Sequence, residues 1–162
     1  MTITPLPTPY GSLEVLISAR DIAGRVTGLA DDIAKAMPPD MMIVSLLRGS
    51  FVFTSDLIRA LHLIGASMNM RPQVDFMTLA SYGSGTVSSG TIQIVRDLTE
   101  NVEGRDVLIV DDILESGRTL TFARELVVSR KAKSVKIAVL LEKTGQAQNG
   151  CYRRFRRLHY PR

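Results

Sequence analysis

Residues 107–120 carry a dense group of side chains suited to chemistry. Four apolar residues, Val107 to Val110, run into the adjacent carboxylates Asp111 and Asp112, and after Ile113 and Leu114 come Glu115, Ser116, Gly117, Arg118 and Thr119. Such a run reads as a buried strand, a tight turn and the start of a helix. The first turn of a helix leaves backbone N–H groups without partners, so it receives a phosphate dianion readily. Gly117 lets the backbone come close to that anion, and the Ser116 and Thr119 hydroxyls add donors. Two neighbouring carboxylates at a strand end suit the donor hydroxyls of a ribose, or a Mg²⁺ ion shared with them. Acids after a strand also cap the following helix, and an isolated Asp-Asp pair reads most simply that way. The whole run argues for the chemical use.

The elements around this run must hold it in place. Ile22, Val26, Leu29 and Ile33 recur at helical spacing between Ser18 and Met37, with Ser18 and Asp21 as a capped start and Pro38-Pro39 as a stop. Met41 to Leu47 is a short apolar strand that ends at Arg48-Gly49-Ser50, and Phe51 to Leu63 returns to helical periodicity. Val74 to Ala80 and Thr91 to Arg96 read as strands, separated by the Gly- and Ser-rich stretch Tyr82 to Gly90, a mobile loop by composition. A helix over about Thr119 to Arg130 and a buried strand at Val135 to Leu141 complete the pattern. Strands alternating with helices predict an α/β fold with a mostly parallel, twisted sheet flanked by helices, and ligands beyond the C-terminal ends of the strands.

Composition removes several alternatives. At 162 residues and 45% hydrophobic content the chain has the material for one domain with its own core. The uncharged start, with three prolines between Met1 and Pro9, has neither the basic flank nor the apolar run of a secretory signal, so a soluble cytoplasmic protein is expected. One cysteine, Cys151, excludes an internal disulfide, and His62 and His159 lie too far apart to suggest a metal-ligand pair. The formal charge of +4 is misleading, because residues 146–162 hold five arginines and no acid; without them the body carries −1. A nucleic-acid or membrane-surface role would rest on this tail alone.

The run from Val107 to Leu120 resembles the phosphoribosyl pyrophosphate motif of type I phosphoribosyltransferases, and other segments resemble the hypoxanthine-guanine branch of that family. Leu47-Arg48-Gly49-Ser50 is similar to its pyrophosphate loop, Ser81-Tyr82 to the pair that heads its closing loop, and Leu140 to Lys143 to the strand end that reads the purine. The resemblance implies a magnesium-dependent transfer of the phosphoribosyl group to a 6-oxopurine, hypoxanthine or guanine. By that resemblance Asp111 and Asp112 hold ribose hydroxyls and reach Mg²⁺ indirectly, through those hydroxyls or water. Ile113 and Leu114 also belong to the substrate site, Glu115, Ser116, Gly117, Arg118 and Thr119 wrap the 5′-phosphate, and the loop Leu47, Arg48, Gly49 and Ser50 holds pyrophosphate through an unusual peptide geometry. Glu115 takes the proton from purine N7, Lys143 faces the exocyclic oxygen at C6, and Ser81-Tyr82 begin a flexible hairpin loop over the active site. The family also implies a homodimer or homotetramer. Two positions depart from the usual pattern: Glu115 replaces Asp, which sets the base one methylene further out, and Arg48 replaces Lys, which keeps the charge and changes how the loop packs. A lone lysine at a strand end is often only a solvated terminus, and a Gly/Ser stretch only a hairpin connection.

The resemblance stops at Gly145, so the expected division is a phosphoribosyltransferase domain over residues 1–145 and an atypical basic tail over residues 146–162. Back-translating Tyr152 to Arg162 with suitable codons and rereading it one nucleotide later yields Thr-Gly-Asp-Phe-Val-Gly-Phe-Thr-Ile-Pro, similar to the segment the family carries next. A frameshift near Gly145-Gln146 that replaced the purine-stacking end is therefore one expectation, with catalysis weakened. A genuine basic extension is the alternative. The extension would leave open a nucleotide-sensing, RNA-binding relative, and the truncation a catalytically impaired subunit.

Overall fold

The computed structural model describes residues 7–8, 11–12, 15–64, 69–82, 91–143 and 158–160. A two-strand antiparallel hairpin, β1 (Pro7–Thr8) and β2 (Gly11–Ser12), precedes the main body. Helix α1 spans Ala19–Ala36, where Ser18 caps the first turn by accepting the Asp21 N–H at 3.1 Å, and the chain leaves helical geometry at Met37, ahead of Pro38. Its stripe of Val26, Leu29, Ala30, Ile33 and Ala34 is buried. Strand β3 (Met42–Leu47) follows, then α2 (Phe51–Ile64), β4 (Gln73–Tyr82), β5 (Thr91–Arg96), β6 (Asp106–Leu114), α3 (Arg118–Ser129), β7 (Ser134–Lys143) and β8 (Leu158–Tyr160).

Six strands form one sheet in the order β5-β4-β3-β6-β7-β8, and every neighbouring pair is parallel except β4 with β5. This is the expected α/β architecture. The central strands are covered on both faces, and side-chain alternation divides the interior in two. Ile43, Leu108, Val110, Ala138 and Leu140 pack with α1 and α2, whereas Met42, Val44, Val107, Ile109, Ile137 and Val139 pack with Leu120, Ala123 and Val127 of α3. Fully enclosed side chains such as Leu29, Ile33, Leu57 and Leu108 each contribute about 1.5–3 kcal/mol relative to an exposed position.

Strand ends depart most from the sequence reading. β6 continues through both aspartates to Leu114 because β7 runs beside it, pairing Asp111 with Val139 and Leu114 with Glu142. Lys143 is likewise the last residue of β7 rather than a residue beyond it. β4 reaches Tyr82 because β5 returns along it, with Ser81 opposite Ile92. β8, which periodicity does not reveal, pairs parallel with Leu141 to Lys143. The glycine- and serine-rich residues 83–90 and the boundary near residue 145 fall outside the described residues.

Asp75 holds the region below the hairpin together. It is 3% exposed, and its carboxylate accepts backbone N–H groups from Phe76 at 2.7 Å, Thr99 at 2.7 Å and Glu100 at 3.0 Å, with the Thr99 hydroxyl at 3.2 Å. Burial alone would raise its pKa, but these donors together outweigh that effect and hold the group below the ordinary carboxylate range. Its contribution to stability is therefore present above the unfolded-state pKa and is lost as pH falls through the lower folded value. Asp75→Ala is expected to cost roughly 2–4 kcal/mol in urea unfolding at pH 7, and less as the solution is acidified, because three backbone donors lose their acceptor.

Candidate active site

The parallel strands bring two loops, the acid pair and the end of β7 to one end of the sheet. β6 delivers the acid pair, the turn after it delivers Glu115 to Gly117, and β3, β6's neighbour, delivers Arg48 to Ser50. β7, on the other side, ends at Lys143. A cavity of about 380 Å³ lies there, within the range of small-ligand sites. Its wall comprises Asp111, Ile113 and Leu114 of β6, the turn Glu115-Ser116-Gly117, the first turn of α3 from Arg118 to Leu120, and Ser81 and Ile92 from the β4–β5 hairpin.

Gly117 sits immediately before α3 with φ +77°, a left-handed conformation that glycine adopts without steric cost. Gly117, the residue before the first helical turn, makes no side-chain cap, and the first turn of α3 lines the cavity as a candidate anion site. Ser116 Oγ accepts only a long contact of 3.4 Å from Arg118 N–H.

The two aspartates differ. Asp111 is half-buried, and desolvation, reinforced by the adjacent Asp112 charge, pushes its pKa up to about 7. Its Oδ1 accepts the Asp112 N–H at 3.1 Å. Asp112 accepts the Ile113 N–H at 2.9 Å and lies against the loop after β3. A Cβ placed on Gly49 would stand 2.6 Å from Asp112 Oδ2, so any larger residue there requires the carboxylate to move. The Leu47–Arg48 peptide is cis, the unusual geometry expected of this loop. Ser50 turns inward: it is fully buried, its Oγ lies 2.8 Å from Ser45 Oγ and donates to the Leu46 carbonyl, so the loop meets a ligand without that hydroxyl. Gly49→Ala is expected to displace Asp112 and lower kcat/KM by roughly 100-fold, the scale of a 1 Å misplacement, with little change in thermal unfolding.

Glu115 and Lys143, 28 positions apart, meet at the far side: Lys143 Nζ lies 2.5 Å from Glu115 Oε1. Their side chains are 57% and 35% exposed respectively, so the pair is solvated and weak, on the order of 1 kcal/mol or less, and can open for a ligand. Arg48 is exposed, Leu47 half-buried, and the Tyr82 side chain falls outside the described residues. No group of three or more metal-ligating side chains occurs among the described residues. The donor set nevertheless suits a magnesium ion that takes one or two carboxylates and completes its octahedron with ligand oxygens and water. Leu120, the last residue of the run beginning at Val107, had no role of its own in the sequence reading, and Ile92 joins the wall through its pairing with Ser81, which no local pattern reveals.

Residues 16–154 match the family model described as phosphoribosyl transferase domain. The chain is 40% identical over 140 residues to the hypoxanthine phosphoribosyltransferase of Escherichia coli K12, covering 85% of this chain and 75% of that protein. It is 41% identical over 134 residues to the hypoxanthine-guanine phosphoribosyltransferase of Dictyostelium discoideum, covering 82% and 72% respectively. The crystal structure of a hypoxanthine phosphoribosyltransferase from Staphylococcus aureus superposes with a TM-score of 0.76 at 35% identity, over 90% of this chain and 77% of that one.

Proposed function

The chain belongs to the phosphoribosyl transferase family, and on that premise we propose that it salvages purines by moving the phosphoribosyl group of phosphoribosyl pyrophosphate onto hypoxanthine or guanine, releasing pyrophosphate. One observation supports the arrangement above others: the uncapped start of α3, the β6 acid pair and Lys143 beside Glu115 all open at one end of the sheet.

In this reading the turn Glu115 to Thr119 holds the 5′-phosphate, while Asp111 and Asp112 accept from the ribose hydroxyls. The backbone of Leu47 to Ser50 holds the leaving pyrophosphate. Asp111 and Asp112 would hold a Mg²⁺ ion indirectly, through ribose hydroxyls or water, and the ion would neutralise charge on the departing pyrophosphate. Lys143 donates to the oxygen at purine C6 and would face the amino group of adenine donor to donor, which selects 6-oxopurines. Glu115 takes the proton released by the purine nitrogen. Ser81 and Tyr82 begin the segment that closes over the site.

Equal concentrations of hypoxanthine, guanine, xanthine and adenine with phosphoribosyl pyrophosphate and Mg²⁺ should yield IMP and GMP as the main nucleotides. Preferred consumption of adenine would refute the role given to Lys143. Self-association into a dimer or tetramer has an available surface in Phe51 and Val52, 58% and 66% exposed on α2, and light scattering tests it. No described helix is long and apolar enough to cross a membrane. For residues 146–162 we retain the shifted-frame reading, which sequencing of the coding DNA from codon 140 onward tests directly.

A further inference from the structure

β5 is an edge strand, and its side chains are exposed at every position but one. Thr91, Gln93, Ile94, Val95 and Arg96 are exposed, Val95 at 61%, while Ile92 alone is partly withdrawn. Apolar character alone does not explain this, since the β-branched apolar Val95 is 61% exposed. Position does: Ile92 stands directly opposite Ser81 in the β4–β5 ladder, and both side chains belong to the cavity wall that faces the turn after β6. The same wall also includes the polar residues Asp111, Glu115, Ser116 and Thr119. An isoleucine there can neither accept from a ribose hydroxyl nor donate to a phosphate. What it can do is occupy volume that water would otherwise take.

We propose that Ile92 is a water-excluding, positioning residue that sets the ratio of phosphoribosyl transfer to phosphoribosyl pyrophosphate hydrolysis; this rests on the transferase reading above. In transfer, the C1–O bond to pyrophosphate breaks, a C1–N bond to the purine forms, and the purine proton passes to Glu115. In hydrolysis the same C1–O bond breaks, a water oxygen bonds to C1, and its proton is released to Glu115 or solvent, giving ribose 5-phosphate and pyrophosphate. The two routes share the groups that hold phosphoribosyl pyrophosphate, while Lys143 serves only the purine. They differ in which nucleophile reaches C1, and an apolar wall discriminates against the small polar one.

Ile92→Val and Ile92→Thr separate water exclusion from folding, because Val and Thr share a branched shape and both suit a strand. Ribose 5-phosphate and nucleotide are measured together for the wild type and both variants, with thermal unfolding recorded on the same samples. Ile92→Val should keep the wild-type ratio of hydrolysis to transfer. Ile92→Thr should raise it roughly tenfold, the low end of what a small change in an apolar pocket costs. Equal ratios in the two variants, whatever their unfolding midpoints, overturn the proposal while leaving the transferase reading intact. A wild type that hydrolyses but does not transfer, with Thr faster than Val, refutes the transferase reading and keeps the water-excluding role. A wild type that does neither overturns both.

Discussion

Asp111→Asn is expected to give a protein that is more stable than the wild type at pH 8, no more stable at pH 4, and unable to hold its substrate. Burial and the Asp112 charge place the folded-state pKa of Asp111 at about 7, against 3.8 for an ordinary aspartate. A raised folded value means that the native state keeps a proton the unfolded chain has already released. Below about pH 4 both states are protonated and nothing is lost; between 4 and 7 stability falls as pH rises; above 7 the native state carries a buried charge at full cost. The gap between the folded and ordinary values corresponds to a penalty on the order of 4 kcal/mol, which a neutral amide avoids. Urea unfolding of ligand-free wild type and variant across this range reads the effect, and parallel curves at every pH would show that Asp111 is not buried as described. Binding moves the other way. Ribose hydroxyls need an anionic acceptor, so wild-type affinity for phosphoribosyl pyrophosphate should strengthen from pH 6 to pH 8, and the variant should show neither the affinity nor its pH dependence. Stability surrendered at this position is what prepares the site.

The second large effect concerns the pair at the other side of the cavity. Glu115→Gln should lower kcat by about 10² to 10⁴, the range of general-base catalysis, and leave phosphoribosyl pyrophosphate affinity near that of the wild type. Lys143→Met should act differently. It removes a charged donor, so kcat/KM for hypoxanthine should fall by roughly 10- to 100-fold, equivalent to about 1.5–3 kcal/mol. Discrimination against adenine should shrink, because the repulsive donor has gone along with the attractive one. Single-turnover measurements with each base separate the two variants. If Glu115→Gln altered base preference and Lys143→Met altered only kcat, the two roles would have to be exchanged.

Much of this arrangement could be read from the residues themselves. The run of Val107 to Leu120 carries apolar periodicity, acids, glycine and hydroxyls within a single local window, and a local window is what sequence reasoning resolves. The cap at Ser18 and the stop at Pro38 are local in the same sense. What escaped depends on partners far along the chain. The acid pair lies inside a strand rather than beyond it because β7 happens to continue beside it. Ser50 looks like a ligand hydroxyl until Ser45 and Leu46 are seen to occupy it. Ile92 looks like one more alternating residue of an edge strand, and only its register against Ser81 places it on the cavity wall. The close fit at Gly49 is equally non-local, since it is set by a carboxylate 63 residues away.

The strand order also fixes when the site comes into being during synthesis. The sheet grows outward from β3, first through β4 to β5 on one side and only afterwards through β6, β7 and β8 on the other. As the chain leaves the ribosome, the loop at Arg48 and the hairpin with Ile92 are made before the first residue of the turn that faces them. A nascent chain ending before Lys143 can thus present a phosphate-holding turn but no selectivity for the base. Substrate can assist folding only late, by locking the two halves of the sheet together across the seam between β3 and β6. Ligand-induced protection from proteolysis should then appear in both halves at once rather than spreading from one to the other.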